Sequence, residues 1–134
     1  MKRFLYFGVL ALVVWTCSTP NVASKKSIAP QPVAGDSTEY ELIIIDPRFD
    51  QWYIVHYSDA KDYTNEYYRG KNTMAVVNWN SFYREGKYPK VIDSYIDYQP
   101  QIDYGIEVNR KLYWYFRFVE SDYKIPLIHT SMNP

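Results

Sequence analysis

The only cysteine of the chain, Cys17, lies just behind a short apolar run near the N-terminus, and this arrangement limits where a folded domain can begin. Lys2 and Arg3 precede the uncharged residues 4–15, and Cys17 follows after one further residue. A charged start, a short apolar core and a break at small residues are typical of a secretory signal. The run is too short to span a bilayer as a lasting helix. We therefore expect residues 1–16 to be a signal peptide, with the folded domain downstream.

The residues Val14-Trp15-Thr16-Cys17 resemble the lipobox of bacterial lipoproteins. The resemblance implies that Cys17 is the lipidation site, that it carries diacylglycerol and palmitate chains, and that it becomes the first residue of the mature protein. It also implies a place in the cell envelope, with the membrane bound through the lipid anchor. No acidic run follows Cys17, which favours the side facing the periplasm. Two alternatives stay open: a buried, inert thiol in an N-terminal helix, and an ordinary signal peptide cleaved elsewhere.

The single cysteine and the balanced charge exclude several classes of function. One cysteine cannot form an intramolecular disulfide or a multi-thiolate metal site. The chain has 15 basic and 15 acidic side chains, and loss of Lys2 and Arg3 leaves it slightly acidic, so nothing favours nucleic-acid binding. The only histidines, His56 and His129, lack the i, i+4 spacing of a zinc-binding helix. We expect no metal, no cofactor and no nucleic-acid partner.

Composition divides the rest of the chain into three parts. Residues 17–38 are rich in Pro, Ser, Thr and Ala and contain no aromatic residue, which predicts a flexible tether behind the acylated cysteine. From Tyr40 to Tyr123 there are 14 tyrosines, 3 tryptophans and 4 phenylalanines, whose rings supply most of a core. We expect one globular domain over residues 39–128 and a tail over residues 129–134.

The first two predicted elements meet at Asp46. The β-branched run at residues 41–46 is bounded by acidic side chains and predicts a buried strand. Asp46 and Pro47 are typical of a helix start, as an N-cap and a first-turn proline. Apolar residues at helical spacing then predict a short helix that reaches His56.

A mostly helical segment is predicted over residues 63–84. Thr64 is a candidate N-cap, Gly70 weakens the middle and allows a kink, and Gly86 is a natural stop. One apolar stripe is traced by Tyr63, Tyr67, Met74, Val77 and Ser81, with Val76, Trp79 and Tyr83 beside it.

The last third of the chain predicts a strand and an ambiguous element. Alternation at residues 95–98 predicts a short strand, which Pro100 stops and which we expect to pair with residues 42–45. Residues 105–124 fit both strand alternation and helical spacing, and their length without a turn signal favours a helix.

Together these elements predict an α+β fold. We expect a small single domain in which two or three short strands pack with two main helices and one short helix. The predicted core consists of Leu42, Ile44, Trp52, Val77, Trp79, Leu112 and Phe116.

Two motifs, Asn78-Trp79-Asn80 and Ile102-Asp103-Tyr104-Gly105, resemble a family of small uncharacterised bacterial lipoproteins. They follow a tyrosine-rich strand and an Asp-Pro helix start in the same order as in that family, and the resemblance covers about residues 39–128. The family is described as a domain of unknown function. The resemblance therefore implies a class of protein, with no catalytic residue and no substrate.

Several polar and aromatic side chains are candidates for binding a ligand. Asparagine is unfavourable inside a helix, so Asn72, Asn78 and Asn80 either make structural hydrogen bonds to loops or contact a glycan or peptide. The complete candidate set is Asn72, Asn78, Trp79, Asn80, Asp97, Tyr98, Asp103 and Tyr104.

Three carboxylates keep a catalytic alternative open. Asp93, Asp97 and Asp103 offer pairs for glycoside hydrolysis, which needs two carboxyl groups about 5–10 Å apart across a sugar site. The sequence contains no Gly-rich phosphate loop, nucleophile elbow or Cys/His pair. We therefore expect a lipid-anchored, non-catalytic binding or scaffolding module whose partner is an envelope protein or glycan. The alternative is a carboxylate-dependent hydrolase of envelope glycan.

Overall fold

Two strands and three α-helices build the part of the chain that the computed structural model describes, residues 28, 30–33, 36–42, 44 and 46–128. In chain order the elements are β1 (Pro30–Val33), β2 (Asp36–Leu42), α1 (Pro47–His56), a 3-10 turn (Asp59–Lys61), α2 (Asn65–Arg84) and α3 (Gly105–Tyr123). This is the predicted α+β class, with two strands, two main helices and one short helix. The predicted signal peptide, Cys17 and the tail at 129–134 lie outside the described residues.

The sheet is an antiparallel hairpin formed earlier in the chain than predicted. β1 pairs with β2, with Pro30 opposite Leu42 and a register shift between Pro32 and Val33. The prediction that residues 95–98 form a strand that pairs with residues 42–45 is wrong. These residues are not in a strand, and the partner of β2 is β1. β1 also lies within the segment predicted to be a tether, and Ile28 before it is only 2 % exposed. The ordered fold therefore reaches back to Ile28.

The start of α1 follows the local signals in the sequence. The Asp46 carboxylate accepts a hydrogen bond from the Arg48 backbone N–H at 3.0 Å, and Pro47 occupies the first turn. Phe49 is completely buried and attaches the helix to the core. The prediction of a capped helix that begins at Asp46 and Pro47 and reaches His56 is confirmed.

α2 is also capped at both ends as predicted. Thr64 Oγ1 accepts a hydrogen bond from the Tyr67 backbone N–H at 3.2 Å. At the other end Gly86 has a φ of 66°, and the backbone N–H groups of Lys87 and Gly86 donate to the carbonyls of Phe82 and Tyr83. This is the Schellman arrangement, which favours glycine because of its positive φ. The helix continues through Gly70 without interruption.

α3 resolves the ambiguous segment as a helix, as its length favoured. The helix is rich in buried aromatic residues. It ends where Lys124 adopts a left-handed conformation, with a φ of 58°. Its buried residues are Val108, Asn109, Leu112, Tyr113, Trp114, Tyr115, Phe116, Phe118 and Val119. Burial on this scale makes α3 the centre of the core, onto which α1, α2 and β2 pack.

The core contains most of the predicted residues, with one clear exception. Leu42, Trp79, Leu112 and Phe116 are buried, while Ile44 and Trp52 are half-buried. Val77 is 61 % exposed, so its placement in the core was wrong. The reason is rotational: α2 turns the face that holds Tyr68, Asn72, Ala75, Val76 and Trp79 toward α3, and Val77 lies on the opposite side.

Candidate functional site

The inner face of α2 is occupied by side chains that hydrogen-bond to the backbone of other segments. Asn72 Nδ2 donates to the Asn109 carbonyl at 2.8 Å, which joins α2 to α3. Asn78 Nδ2 donates to the Leu127 carbonyl at 2.7 Å, which fixes the chain after α3. Of the two alternatives for these asparagines, the structure thus shows the structural hydrogen bonds.

The side chain of Asn80 forms a pair of hydrogen bonds with the backbone of Ile96, as a neighbouring β-strand would. Its Nδ2 donates to the Ile96 carbonyl and its Oδ1 accepts from the Ile96 N–H, each at 2.9 Å. Trp79 Nε1 adds a bond to the Ser94 carbonyl at 2.8 Å. Buried backbone groups need partners, and here side chains of α2 supply them. Residues 95–98 therefore alternate between buried and exposed as predicted, without forming a strand.

The predicted tyrosines belong to the same internal network. Tyr98 OH donates to Asn109 Oδ1 at 2.8 Å, and burial raises the pKa of Tyr98 to about 12. The Tyr104 hydroxyl accepts a hydrogen bond from the Gln99 N–H at 3.0 Å. The Tyr104 ring packs against Tyr98 and against Tyr40, with centroid distances of 5.1 and 4.9 Å. Tyr98 and Tyr104 are buried, so their rings pack inside the domain and contribute little to its exposed surface.

The structure distributes the eight predicted ligand-binding residues over four places. Asn72 and Trp79 are completely buried, so a ligand would have to displace the core to reach them. Asn80, Asp97 and Tyr98 border a shallow depression of about 230 Å³ between α2 and residues 95–100. Asp103 and Tyr104 line another depression, of about 340 Å³, at the start of α3. Asn78 is half-buried against the C-terminal segment.

The largest of these surface features is a groove of about 570 Å³ between β2, α1 and α3. It is continuous with the depression at the start of α3, because Tyr40, Glu107 and Val108 line both. We call the combined feature the β2–α3 groove. The residues that determine its chemistry are Tyr40, Glu41, Asp50, Tyr53, Ile54, Asp103, Tyr104, Glu107 and Lys111.

The β2–α3 groove combines apolar walls with excess negative charge. Ile54 is 78 % exposed at its edge, and burial raises the pKa of Tyr53 to about 12, so its hydroxyl stays neutral. Four carboxylates and a single amine, that of Lys111, line the groove. A site of this kind attracts a cationic group that carries apolar side chains.

The sequence contained a signal for the α1 side of this groove. The helical spacing in α1 predicted an inner face that runs from Phe49 to His56. Ile54 and Val55 were not part of this face. Both are exposed, at 78 % and 72 %. Two adjacent aliphatic residues outside the inner stripe of an amphipathic helix indicate a surface apolar patch. Only the hairpin, whose β1 partner was not predicted, turns that patch into one wall of a groove.

A family model described as a family of unknown function (DUF6146) matches residues 4–134. The chain belongs to this family. No curated protein and no solved structure matches the chain. Membership in DUF6146 specifies no reaction, ligand or partner, so any function for this chain is inferred from its own residues.

A charged contact joins one groove carboxylate, Glu107, to the segment before α2. Arg110 donates to both oxygens of Asp62, at 2.9 and 2.7 Å, and to Glu107 Oε1 at 2.7 Å. The hydrogen bonds from Arg110, and then that from Tyr68, lower the pKa of Asp62 to about 2. The Arg110 guanidinium also lies 5.6 Å from the centre of the Tyr57 ring. One groove carboxylate, Glu107, is thus fixed by a cation shared with the interior.

The acidic residues of the catalytic alternative do not converge. Asp93, Asp97 and Asp103 are all exposed. Asp97 borders the depression beside α2, whereas Asp103 lies in the β2–α3 groove and accepts a hydrogen bond from the Gly105 N–H at 3.0 Å. A general acid needs a desolvated carboxyl group beside its partner, and this arrangement supplies no observation that favours one.

His56 packs against an aromatic ring of its own helix. The His56 ring stacks on Trp52 with a centroid distance of 4.0 Å, and Nδ1 donates to the Trp52 carbonyl at 2.7 Å. His129 lies outside the described residues. Within residues 28–128, with the gaps noted above, no group of three metal-binding side chains comes together and no helix is long and apolar enough to cross a bilayer.

Proposed function

We propose that this protein is a lipid-anchored bacterial envelope protein whose domain is a non-catalytic binding or scaffolding module. The signal-like residues 1–16 and the lipobox-like stretch that ends at Cys17 support the anchor. The absence of an acidic run after Cys17 supports a position facing the periplasm. Attachment would rest on the lipid chains, because the charge of the mature chain gives no polybasic attraction to a membrane.

The observation that carries the binding role is the β2–α3 groove. Its main part of about 570 Å³ lies within the range of about 300–1,000 Å³ that is usual for ligand sites. Its carboxylates outnumber its one amine, and its walls include Tyr40, Tyr53 and Ile54. The partner that fits is a protein or peptide segment of the envelope in which a lysine or arginine stands beside apolar side chains.

The anchor is tested by replacing the one residue that can carry it. We expect Cys17→Ser to leave the precursor uncleaved and unacylated, with the protein lost from the membrane fraction. Mass spectrometry of the native protein should show a lipid-modified first residue at Cys17. An unmodified thiol on an intact leader, or a Cys17→Ser protein that stays in the membrane fraction, would contradict the anchor.

The binding role is tested by photo-crosslinking in the intact envelope. A photoreactive amino acid at Ile54, which lines the groove, should capture a protein, while the same label at the exposed Asp93 serves as the matched control. The charge reversals Glu41→Lys and Asp50→Lys should reduce the capture at Ile54 at least ~10-fold, because they remove the attraction to a cationic segment. Equal capture at both positions, or capture that ignores the charge reversals, would contradict the proposal.

A further inference from the structure

We propose that α2 pairs with α2 of a second copy of this chain, antiparallel, through an apolar seam on its outer face. The seam consists of Tyr67, Gly70, Met74, Val77, Ser81 and Arg84. It lies on a different element from the β2–α3 groove, which β2, α1 and α3 form. The pairing therefore stands independently of the proposed ligand.

The first observation is that α2 is apolar on two opposite sides. Its inner side packs on α3 through residues such as Tyr68, Ala75 and Trp79, all of which are completely buried. Its outer side carries Met74 and Val77, which are 38 % and 61 % exposed. Tyr67, also 38 % exposed, lies at the edge of this side, with its ring against Tyr63 and against Tyr113 of α3. A surface helix with a single partner normally turns a polar face to solvent. The described part of the chain covers one apolar side of α2 and leaves the other open.

The second observation is the spacing of the seam. Its members follow one another at intervals of three and four residues, the 3.5-residue average of a coiled-coil contact line. The order of intervals is the same in both directions, so an antiparallel copy aligns with it member by member. Met74 then lies opposite Val77, Gly70 opposite Ser81, and Tyr67 opposite Arg84. The central pairs match aliphatic with aliphatic and small with small. At each end Arg84 lies beside the Tyr67 ring, which Tyr63 and Lys71 of its own chain also contact.

The third observation is that nothing within the domain requires Gly70 to be glycine. A Cβ atom placed there would have no heavy atom within 4 Å, and its φ is not positive. Glycine weakens a helix interior relative to alanine, so an exposed glycine without an internal role is unfavourable for the isolated domain. A glycine allows a neighbouring backbone to approach closely, which is the role that the pairing with Ser81 of a second copy assigns to it.

Charge distinguishes the antiparallel from the parallel arrangement. In the antiparallel alignment Glu66 lies within one residue of the level of Arg84 in the other copy, and this opposite-charge contact occurs at both ends of the seam. Within its own chain, Arg84 lies beside Glu85, which is paired with Lys87 at 2.6 Å. A parallel pair would align Glu66 with Glu66 and Arg84 with Arg84, so like charges would meet.

The association is tested on the full chain with Cys17→Ser, by analytical ultracentrifugation over a range of concentrations. We expect a reversible dimer, and we expect Val77→Lys and Gly70→Leu each to raise its dissociation constant at least ~10-fold, since both block the centre of the seam. Val55→Lys, at an aliphatic residue that is 72 % exposed on α1, is the matched control and should leave the dimer unchanged. A monomer at every concentration up to about 1 mM, with native circular dichroism, would overturn the proposal.

The direction of pairing is tested by crosslinking across the seam. Chains that carry Tyr67→Cys and chains that carry Arg84→Cys, both with Cys17→Ser, are treated with a short thiol-reactive crosslinker, alone and mixed. The antiparallel pair predicts crosslinked heterodimers in the mixture only, because like positions would be about 25 Å apart along the axis. Homodimers in the unmixed samples would overturn the antiparallel arrangement, and a mixture without crosslinks would overturn the pairing itself.

Discussion

α2 and α3 are nearly equal in length, but they hold the fold in different ways. α3 is buried on most sides and contacts its neighbours through aromatic and aliphatic side chains. α2 is buried on one side only, and its asparagines bind the backbone of α3, of Ile96 and of the C-terminal segment. Burial of aromatic side chains around α3 therefore stabilises this domain, while amide hydrogen bonds from α2 hold its irregular segments in position.

The largest effect should come from the α3 side of this comparison. Phe116 is completely buried at the centre of the core, so Phe116→Ala should lower the free energy of unfolding by about 3–5 kcal/mol through lost burial and a cavity. Denaturant unfolding measures it. The control, at a concentration at which the protein is monomeric, is Val77→Ala on the outer side of α2, which should change stability by less than about 0.5 kcal/mol. Similar losses in the two variants would mean that the core does not centre on α3.

The next effect tests the amide bonds of α2. Asn80→Ala removes both hydrogen bonds to Ile96 and leaves its buried N–H and carbonyl without partners. Each of the two groups costs about 1–3 kcal/mol, so we expect a loss of about 2–6 kcal/mol. Asn78→Ala, at a half-buried position with one hydrogen bond, should cost less. Hydrogen exchange at the Ile96 amide should accelerate in the Asn80 variant, and unchanged protection there would refute the role assigned to Asn80.

A smaller effect depends on pH and involves the charged contact between α3 and the start of α2. Arg110 lowers the pKa of Asp62 to about 2 in the folded protein, from an ordinary value of about 4. Because the folded pKa is depressed, this contribution is fully present above about pH 4 and is lost as the pH falls toward 2. Wild type should therefore exceed Asp62→Asn in stability at neutral pH, and the difference should shrink in acid. A difference that is constant from pH 6 to pH 2 would rule out this linkage.

The smallest effect concerns the exposed side of α2 and has the opposite sign. Gly70→Ala should raise the free energy of unfolding by about 0.5–1 kcal/mol, because alanine favours the helix and its Cβ meets no neighbour. The measurement is thermal unfolding at a concentration at which the protein is monomeric. A loss of stability would show that Gly70 has a packing role within the domain.

The ends of the helices could be predicted because their signals act over a few residues. Asp46 and Thr64 bond to backbone groups two or three residues away, and Gly86 supplies a positive φ where α2 must stop. Such contacts form in the same way whatever the rest of the fold does. The stretch at 105–124 was predicted as a helix for a comparable reason, since its length without a turn signal is a property of the sequence alone.

The partners of these elements could not be predicted in the same way. Residues 95–98 have the alternation of a strand, but alternation indicates which side chains are buried and not what bonds to the backbone. The hydrogen-bonding groups of the Ile96 backbone can be paired by a neighbouring strand or by the side-chain amide of Asn80. Which of the two occurs depends on whether the segment lies next to α2 in the folded protein. The asparagines were noticed because they disfavour helices, whereas their bonding partners lie between 16 and 49 residues away in the chain.

The candidate site shows the same division. Asp103 and Tyr104 were among the predicted ligand residues and do line the β2–α3 groove. Tyr53 and Ile54 were assigned to a helix and to no site, because the other wall of the groove comes from β2. A groove needs two surfaces that face each other, and the order of residues in the sequence does not show which surfaces will do so.

The fold class, the caps of α1 and α2 and the approximate limits of the three helices followed from the sequence, because caps and helical spacing depend on interactions within a turn or two of the chain. The tertiary structure alone decided that β1 pairs with β2, that α2 turns Trp79 inward and Val77 outward, and that the acids of β2, α1 and α3 share one groove. The reason is that α2 carries apolar residues on both sides, so the sequence permits either side to be buried. Packing against α3 selects the side whose asparagines and tryptophan find backbone partners.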